Sequence, residues 1–202
     1  MHVAIDTSYG ATIGRVASVM PPLVDALQTG IDLANEYWMR FGWRRHHYPQ
    51  LWSHLVRTHA LGRLGEAGFV ADVDDDEGAG TTPPMSALLI EHGQDILKVR
   101  LSQDGKVPLP GPSAALTNYY RQHPQLPGLE TKNLVVLWRH EHGRLVEPLT
   151  LVRPLDGGRS ERDLVLGWVG PVDRGMVRLR AADLDELRPL FEQPALGSDD
   201  TG

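Results

Sequence analysis

Cysteine is absent from the 202 residues, which excludes a disulfide framework, a thiolate metal centre and thiol-based catalysis. Lysine is nearly absent too: Lys98, Lys106 and Lys132 stand against seventeen arginines. Long apolar runs are lacking. None approaches the ~18 residues a bilayer span requires, and the opening Met-His-Val-Ala-Ile-Asp does not have the basic-then-apolar order of a signal peptide. The expectation is a cytoplasmic chain without a membrane partner. Walker, Gly-x-Ser-x-Gly, Gly-x-Gly-x-x-Gly and His-Glu-x-x-His patterns are also missing, so no cofactor is expected.

A different absence is local. Residues 37–65 contain no Asp or Glu, although the chain carries a formal net charge of −6. The same window holds Arg40, Arg44, Arg45, Arg57 and Arg63 with His46, His47, His54 and His59. It also holds six of the thirteen aromatics, Tyr37, Trp38, Phe41, Trp43, Tyr48 and Trp52. Arginine offers a planar fork to carboxylate or phosphate, and Trp, Tyr and Arg anchor protein interfaces. The competing reading makes the rings core residues and lets the arginines reach solvent along their stems. An overall acidic chain repels polyanions at long range, which disfavours bulk nucleic-acid affinity.

Spacing then assigns elements. Pro21-Pro22 suit a first helical turn, and Leu23, Leu27, Ile31, Ala34, Trp38 and Phe41 recur at helical intervals, closed by Gly42. A connector over 43–48 leads to a second helix from Pro49 to about Ala67, with Gly68 as its stop. Two such helices should pack antiparallel. Residues 1–20, interrupted by Gly10 and Gly14, read as a frayed arm or lead-in turn. The acidic Gly/Thr/Pro-rich stretch 72–84 reads as a loop. Beyond it the period shifts to two. One β-hairpin is expected over 86–102, turning at His92-Gly93-Gln94, and a second over 133–153, turning at His140-Glu141-His142-Gly143. Between them lies an extended Pro-rich run (107–112) and a short helix capped by Ser113. Strands over 164–169 and 176–180 and a final helix opening at Asp183 complete the pattern. The fold class is α+β, an N-terminal antiparallel helical hairpin packed on a mostly antiparallel β-sheet, in one domain.

Other candidate chemistry reads less well. An EF-hand loop starting at Asp72 would need Gly where Glu77 stands and an acid where Pro83 stands. His140 and His142 share a strand face, but Gly143 marks them as turn residues. No metal ligand set is expected. A restriction-type nuclease site needs an acid two residues before its lysine, yet Ile96 precedes Lys98 there, and Asp95 falls on the other face of the strand.

The run Pro108-Leu-Pro-Gly-Pro-Ser113, then Tyr119-Tyr120 and the strand Leu134-Val-Val-Leu-Trp138, resembles small actinobacterial α+β proteins of unassigned activity. The resemblance spans about the central half of the chain. It implies a regulatory or accessory role and transfers no catalytic residue. The functional expectation is a non-enzymatic binding protein that contacts a protein partner through Arg40, Trp43, Arg44, Arg45, His46, His47 and Tyr48. The alternatives are a nucleic-acid-binding regulator using that patch, or a metal-dependent hydrolase or nuclease. A homo-oligomer is compatible with any of them.

Overall fold

The computed structural model describes residues 8–43, 48–74, 87–110, 114–121, 132–157 and 160–178. Helix α1 spans Tyr9–Val16, a single 3-10 turn covers Ala17–Val19, and α2 runs Met20–Arg40. The part of the expected frayed arm from Tyr9 to Met20 is therefore helical, and residues 1–7 lie outside the described residues. Ser8 caps α1 by accepting from the Ala11 N–H at 3.3 Å. Tyr9, Ile13, Val16, Met20, Leu23 and Leu27 then form one buried stripe across the two helices. Gly10 and Gly14 break the propensity but not the period, and burial of that stripe outweighs their cost.

Helix α3 (Pro49–Glu66) returns along α2. Glycine makes the approach possible: a Cβ on Gly30 would lie 2.4 Å from the Val56 carbonyl oxygen. Nearer the tip, the Trp52 indole donates to Asn35 Oδ1 at 3.1 Å. Gly42 (φ +63°) and Gly68 (φ +83°) turn the chain out of α2 and α3 as the sequence predicts.

The hairpin rests on a six-stranded sheet. Its strands are Val70–Asp74, Ala87–His92, Asp95–Leu101, Lys132–Trp138, Leu149–Asp156 and Val165–Val172 for β1, β2, β3, β4, β7 and β8. Beside it a two-residue ribbon pairs β5 (His140–Glu141) with β6 (Arg144–Leu145). The sheet order is β1-β2-β3-β4-β7-β8. All sheet pairs are antiparallel except β3/β4, which run parallel, Leu97 opposite Leu134. A parallel pair needs a crossover, and helix α4 (Ala114–Tyr120) lies within it. Side-chain alternation separates two cores. Leu97, Val99, Leu134, Val136 and Trp138 pack under α1–α3, whereas Val135, Leu137 and Val152 meet Leu116 and Tyr120 of α4 on the far face.

Two expectations are corrected. The stretch 72–84 is not all loop, because Asp72–Asp74 belong to β1, an edge strand paired with β2; 75–84 lie outside the described residues. The strand expected from Met176 is a 3-10 turn over Arg174–Arg178. Asp173 Oδ1 accepts from the N–H groups of Gly175 (2.7 Å) and Met176 (3.2 Å), which bends the backbone away from extension. Ser113, the helix expected at Asp183 and the tail also lie outside the described residues.

The two ends of the sheet differ in what they hold. At one end stand the Gly93-Gln94 turn and the α1–α2 junction, tied by Arg15 on Asp95. At the other stand the ends of β3 and β4, the β5-β6 ribbon and the first turns of α3, where Trp52 meets Trp138 and His140. The tip of the helical hairpin belongs to this second end.

Candidate docking surface at the hairpin tip

At the tip, α2 ends with Arg40, and the chain closes as Gly42 N–H donates to Met39 O (3.1 Å) and Trp43 N–H to Trp38 O (2.9 Å). That closure folds Trp43 back, edge to face on the buried Trp38 at 5.3 Å between centroids. Phe41 then stacks on the Trp43 ring at 5.1 Å, and Tyr48 tilts against it at 5.4 Å. Pro49 starts α3 directly after Tyr48, setting where that last ring stands. The result is an aromatic ladder rooted in the core at Trp38 and open to solvent above.

Its exposure is unusual for such side chains. Phe41 is 58% exposed, Tyr48 52% and Trp43 39%, with Tyr37, Met39 and Leu51 also exposed close by in sequence. These six account for most of the exposed large apolar side chains among the described residues; Val70, Leu155 and Val165 are the others. At ~200 Å² per large side chain the three rings of the ladder leave about 300 Å² open and all six side chains about 600 Å². A contiguous apolar patch of roughly 300 Å² is of the size that is often functional on a soluble monomer. Phe41, expected on the core face, is the correction here. The helical period points inward at position 41, but α2 stops one residue earlier and the ring swings outward.

The predicted basic residues divide. Arg40 is exposed, and among the described residues it has no ion pair. With Leu33, Glu36 and Tyr37 it lines a shallow groove on the flank of α2. Arg44, Arg45, His46 and His47 lie outside the described residues. Arg57 belongs elsewhere. It is buried in the α3 face that carries Trp52, Ser53, Val56 and Ala60, and it donates to Ser53 Oγ at 2.7 Å. Burial, reinforced by the nearby Arg100, pushes its guanidinium pKa down to about 10. Arg63 pairs with Glu66, and His59 stacks on Tyr37 at 5.9 Å between centroids. Of the residues expected at the docking patch, the structure brings Trp43 and Tyr48 into ring contact, and Phe41 joins them. Arg40 directly precedes Phe41 and shares its groove with Tyr37, while Met39 and Leu51 are exposed close by in sequence. Gly42 directly after Phe41 is the sign in the sequence that the ring leaves the helix.

The other candidate chemistry stays dispersed. His140 packs against Trp52 (4.4 Å) and Trp138, while His142 (φ +49°) and Gly143 (φ +83°) form the ribbon turn. His92 sits at the opposite end of the sheet, one strand length or roughly 20 Å away, with its Nε2 3.3 Å from Ser18 Oγ. No group of three His, Asp or Glu among the described residues is arranged to hold a metal ion. Asp95 faces α1 and forms a two-pronged pair with Arg15 (2.8 and 3.1 Å), whereas Lys98 faces α4, 4.7 Å from the Tyr119 ring centre. The two therefore serve opposite sides of the sheet, as their spacing predicts.

No helix among the described residues is long and apolar enough to cross a membrane. In comparisons with known proteins, no family model, no curated protein and no solved structure matches this chain.

Proposed function

We propose that this chain is a binding protein, regulatory or accessory in role, that docks a protein partner on the tip of its helical hairpin. The observation that carries the reading is the solvent-open ladder Phe41–Trp43–Tyr48 beside Arg40, which has no ion pair among the described residues. Burying that ladder against another chain recovers hydrophobic free energy that the isolated protein forgoes. The composition supports a polypeptide partner. Interface cores are enriched in Tyr, Trp, Phe, Met and Arg and poor in Lys, Glu, Asp, Ser and Ala. Residues 37–51 contain every member of the first group and none of the second.

Photo-crosslinking tests the reading. A photoreactive amino acid in place of Met39, which is 76% exposed, should yield protease-sensitive, nuclease-resistant adducts in cells. The same group in place of Val70, 67% exposed on the edge strand, should not. Adding Phe41→Ser and Tyr48→Ser should remove the Met39 adduct. Adducts sensitive to nuclease instead would refute a protein partner.

A further inference from the structure

We infer that the partner of this tip is a short acidic segment bearing aromatic or aliphatic side chains, its carboxylates directed to Arg40 and its apolar groups to Phe41, Trp43 and Tyr48. The inference rests on the docking reading and names the chemistry of what docks. Two observations carry it.

Charge is the first. From Tyr37 to Gly65 the sequence offers no carboxylate, and Arg40 has no ion pair among the described residues. Three exposed arginines elsewhere are matched internally, Arg121 with Asp156 at 3.0 Å, Arg139 with Glu141 at 3.5 Å, and Arg174 with both Asp25 (3.1 Å) and Glu147 (2.9 Å). Arg144 and Arg162 are exposed without an ion pair among the described residues, but Arg40 differs from them in sharing a groove with Leu33 and Tyr37. A cation without an ion pair in a groove with the Tyr37 ring and Leu33 favours a carboxylate brought from outside, because water is excluded as the pair forms. Glu36 also sets a polarity. It lies one helical turn before Arg40, about 6 Å along α2, on the same groove. An acidic residue is welcome at the Arg40 end and repelled at the Glu36 end, so the segment's apolar or neutral part lies toward Leu33.

Size is the second. The six exposed side chains offer about 600 Å² in all, below the ~800 Å² per partner of a stable globular interface. From Leu33 to Phe41 the strip measures ~12 Å along α2, and crossing to α3 adds ~10 Å. That is the length of six or seven extended residues. The area suits a linear segment better than a folded face.

The test is selection of random twelve-residue peptides displayed on phage against the full chain, with counter-selection on the Phe41→Ser/Tyr48→Ser variant. Enrichment of Asp or Glu together with Trp, Phe or Leu is the expected result. A resynthesised peptide should bind, lose at least about thirtyfold in affinity to Arg40→Glu, and fail once its acids are changed to Lys. Arg40→Glu should melt with the parent protein, since the side chain is exposed. Enriched peptides that are neutral or basic yet sensitive to the tip substitutions would overturn this inference and leave the docking reading standing. Peptides indifferent to those substitutions, no enrichment at all, or tip-dependent binding of oligo(dT) or anionic vesicles in place of peptide would overturn both.

Discussion

Replacing Gly30 by alanine sets two opposed effects against each other, and the geometry decides the sign. In a helix interior, glycine to alanine ordinarily stabilises by ~1 kcal/mol, through backbone entropy and propensity. At position 30, however, the new Cβ would lie 2.4 Å from the Val56 carbonyl oxygen and 3.2 Å from its carbonyl carbon and Cα. Those are backbone atoms of α3, so no side chain can rotate away. Reaching an ordinary contact distance requires α2 and α3 to separate by ~1 Å, enough to forfeit a quarter to a half of the dispersion attraction across the gap. Overpacking of this kind costs ~1–3 kcal/mol, and with main-chain atoms in the way the upper part of that range applies, against the ~1 kcal/mol that propensity returns. The expected net is destabilisation by ~1–2 kcal/mol. Gly62, likewise in a helix interior (α3) but with no heavy atom within 4 Å of a built Cβ, is the internal control. Gly62→Ala should stabilise by ~0.5–1 kcal/mol. Urea unfolding with a common slope reads both, and the two midpoints should move in opposite directions. If Gly30→Ala shifted upward like Gly62→Ala, the close helix crossing that shapes the tip would be refuted.

Two further outcomes follow from buried polar groups at the other end of the sheet and at β8. Tyr9 donates to the Pro171 carbonyl, and its pKa is raised to about 12, chiefly by burial and then by the Asp173 carboxylate. A folded-state pKa above the unfolded value of 10 contributes stability that is complete below pH 10 and lost as pH rises through about 12. Tyr9→Phe should remove a loss on the order of 2 kcal/mol across that window, read as melting temperature against pH. The lowered pKa of Arg57 acts with opposite sign there, so the difference between variant and parent is the measurement, and identical alkaline profiles would contradict the assignment. Arg15→Met should cost ~3 kcal/mol by stranding Asp95, which is 1% exposed, and adding Asp95→Leu should restore most of it. A loss under ~0.5 kcal/mol for Arg15→Met alone would show that the pair contributes little.

Much of the architecture was legible because local chemistry and tertiary demand agree. Pro21, Gly42, Pro49 and Gly68 punctuate the helical hairpin, and Gly93 and Gly143 mark both strand turns. Legibility fails where tertiary burial overrides a local signal. Gly10 and Gly14 disguise α1, although the apolar stripe from Tyr9 to Leu27 runs through them unbroken. Alternating acids disguise β1, which as an edge strand tolerates them. The parallel β3/β4 pair depends on α4 crossing the far face, and strand order of that kind has no local signature. At the tip, Arg40, Trp43 and Tyr48 are readable from composition. Arg57 misleads there: its spacing from Ser53 and Ala60 puts it on the buried stripe of α3, which a charge count does not register.

The central claim is that the ladder Phe41–Trp43–Tyr48 with Arg40 is open in order to be covered by another polypeptide. The photoreactive residue in place of Met39 tests it most directly, compared with and without Phe41→Ser/Tyr48→Ser in proteins that melt alike. A protein adduct lost in the double variant is the predicted result. An adduct of equal yield in both, or one that nuclease destroys, would contradict it.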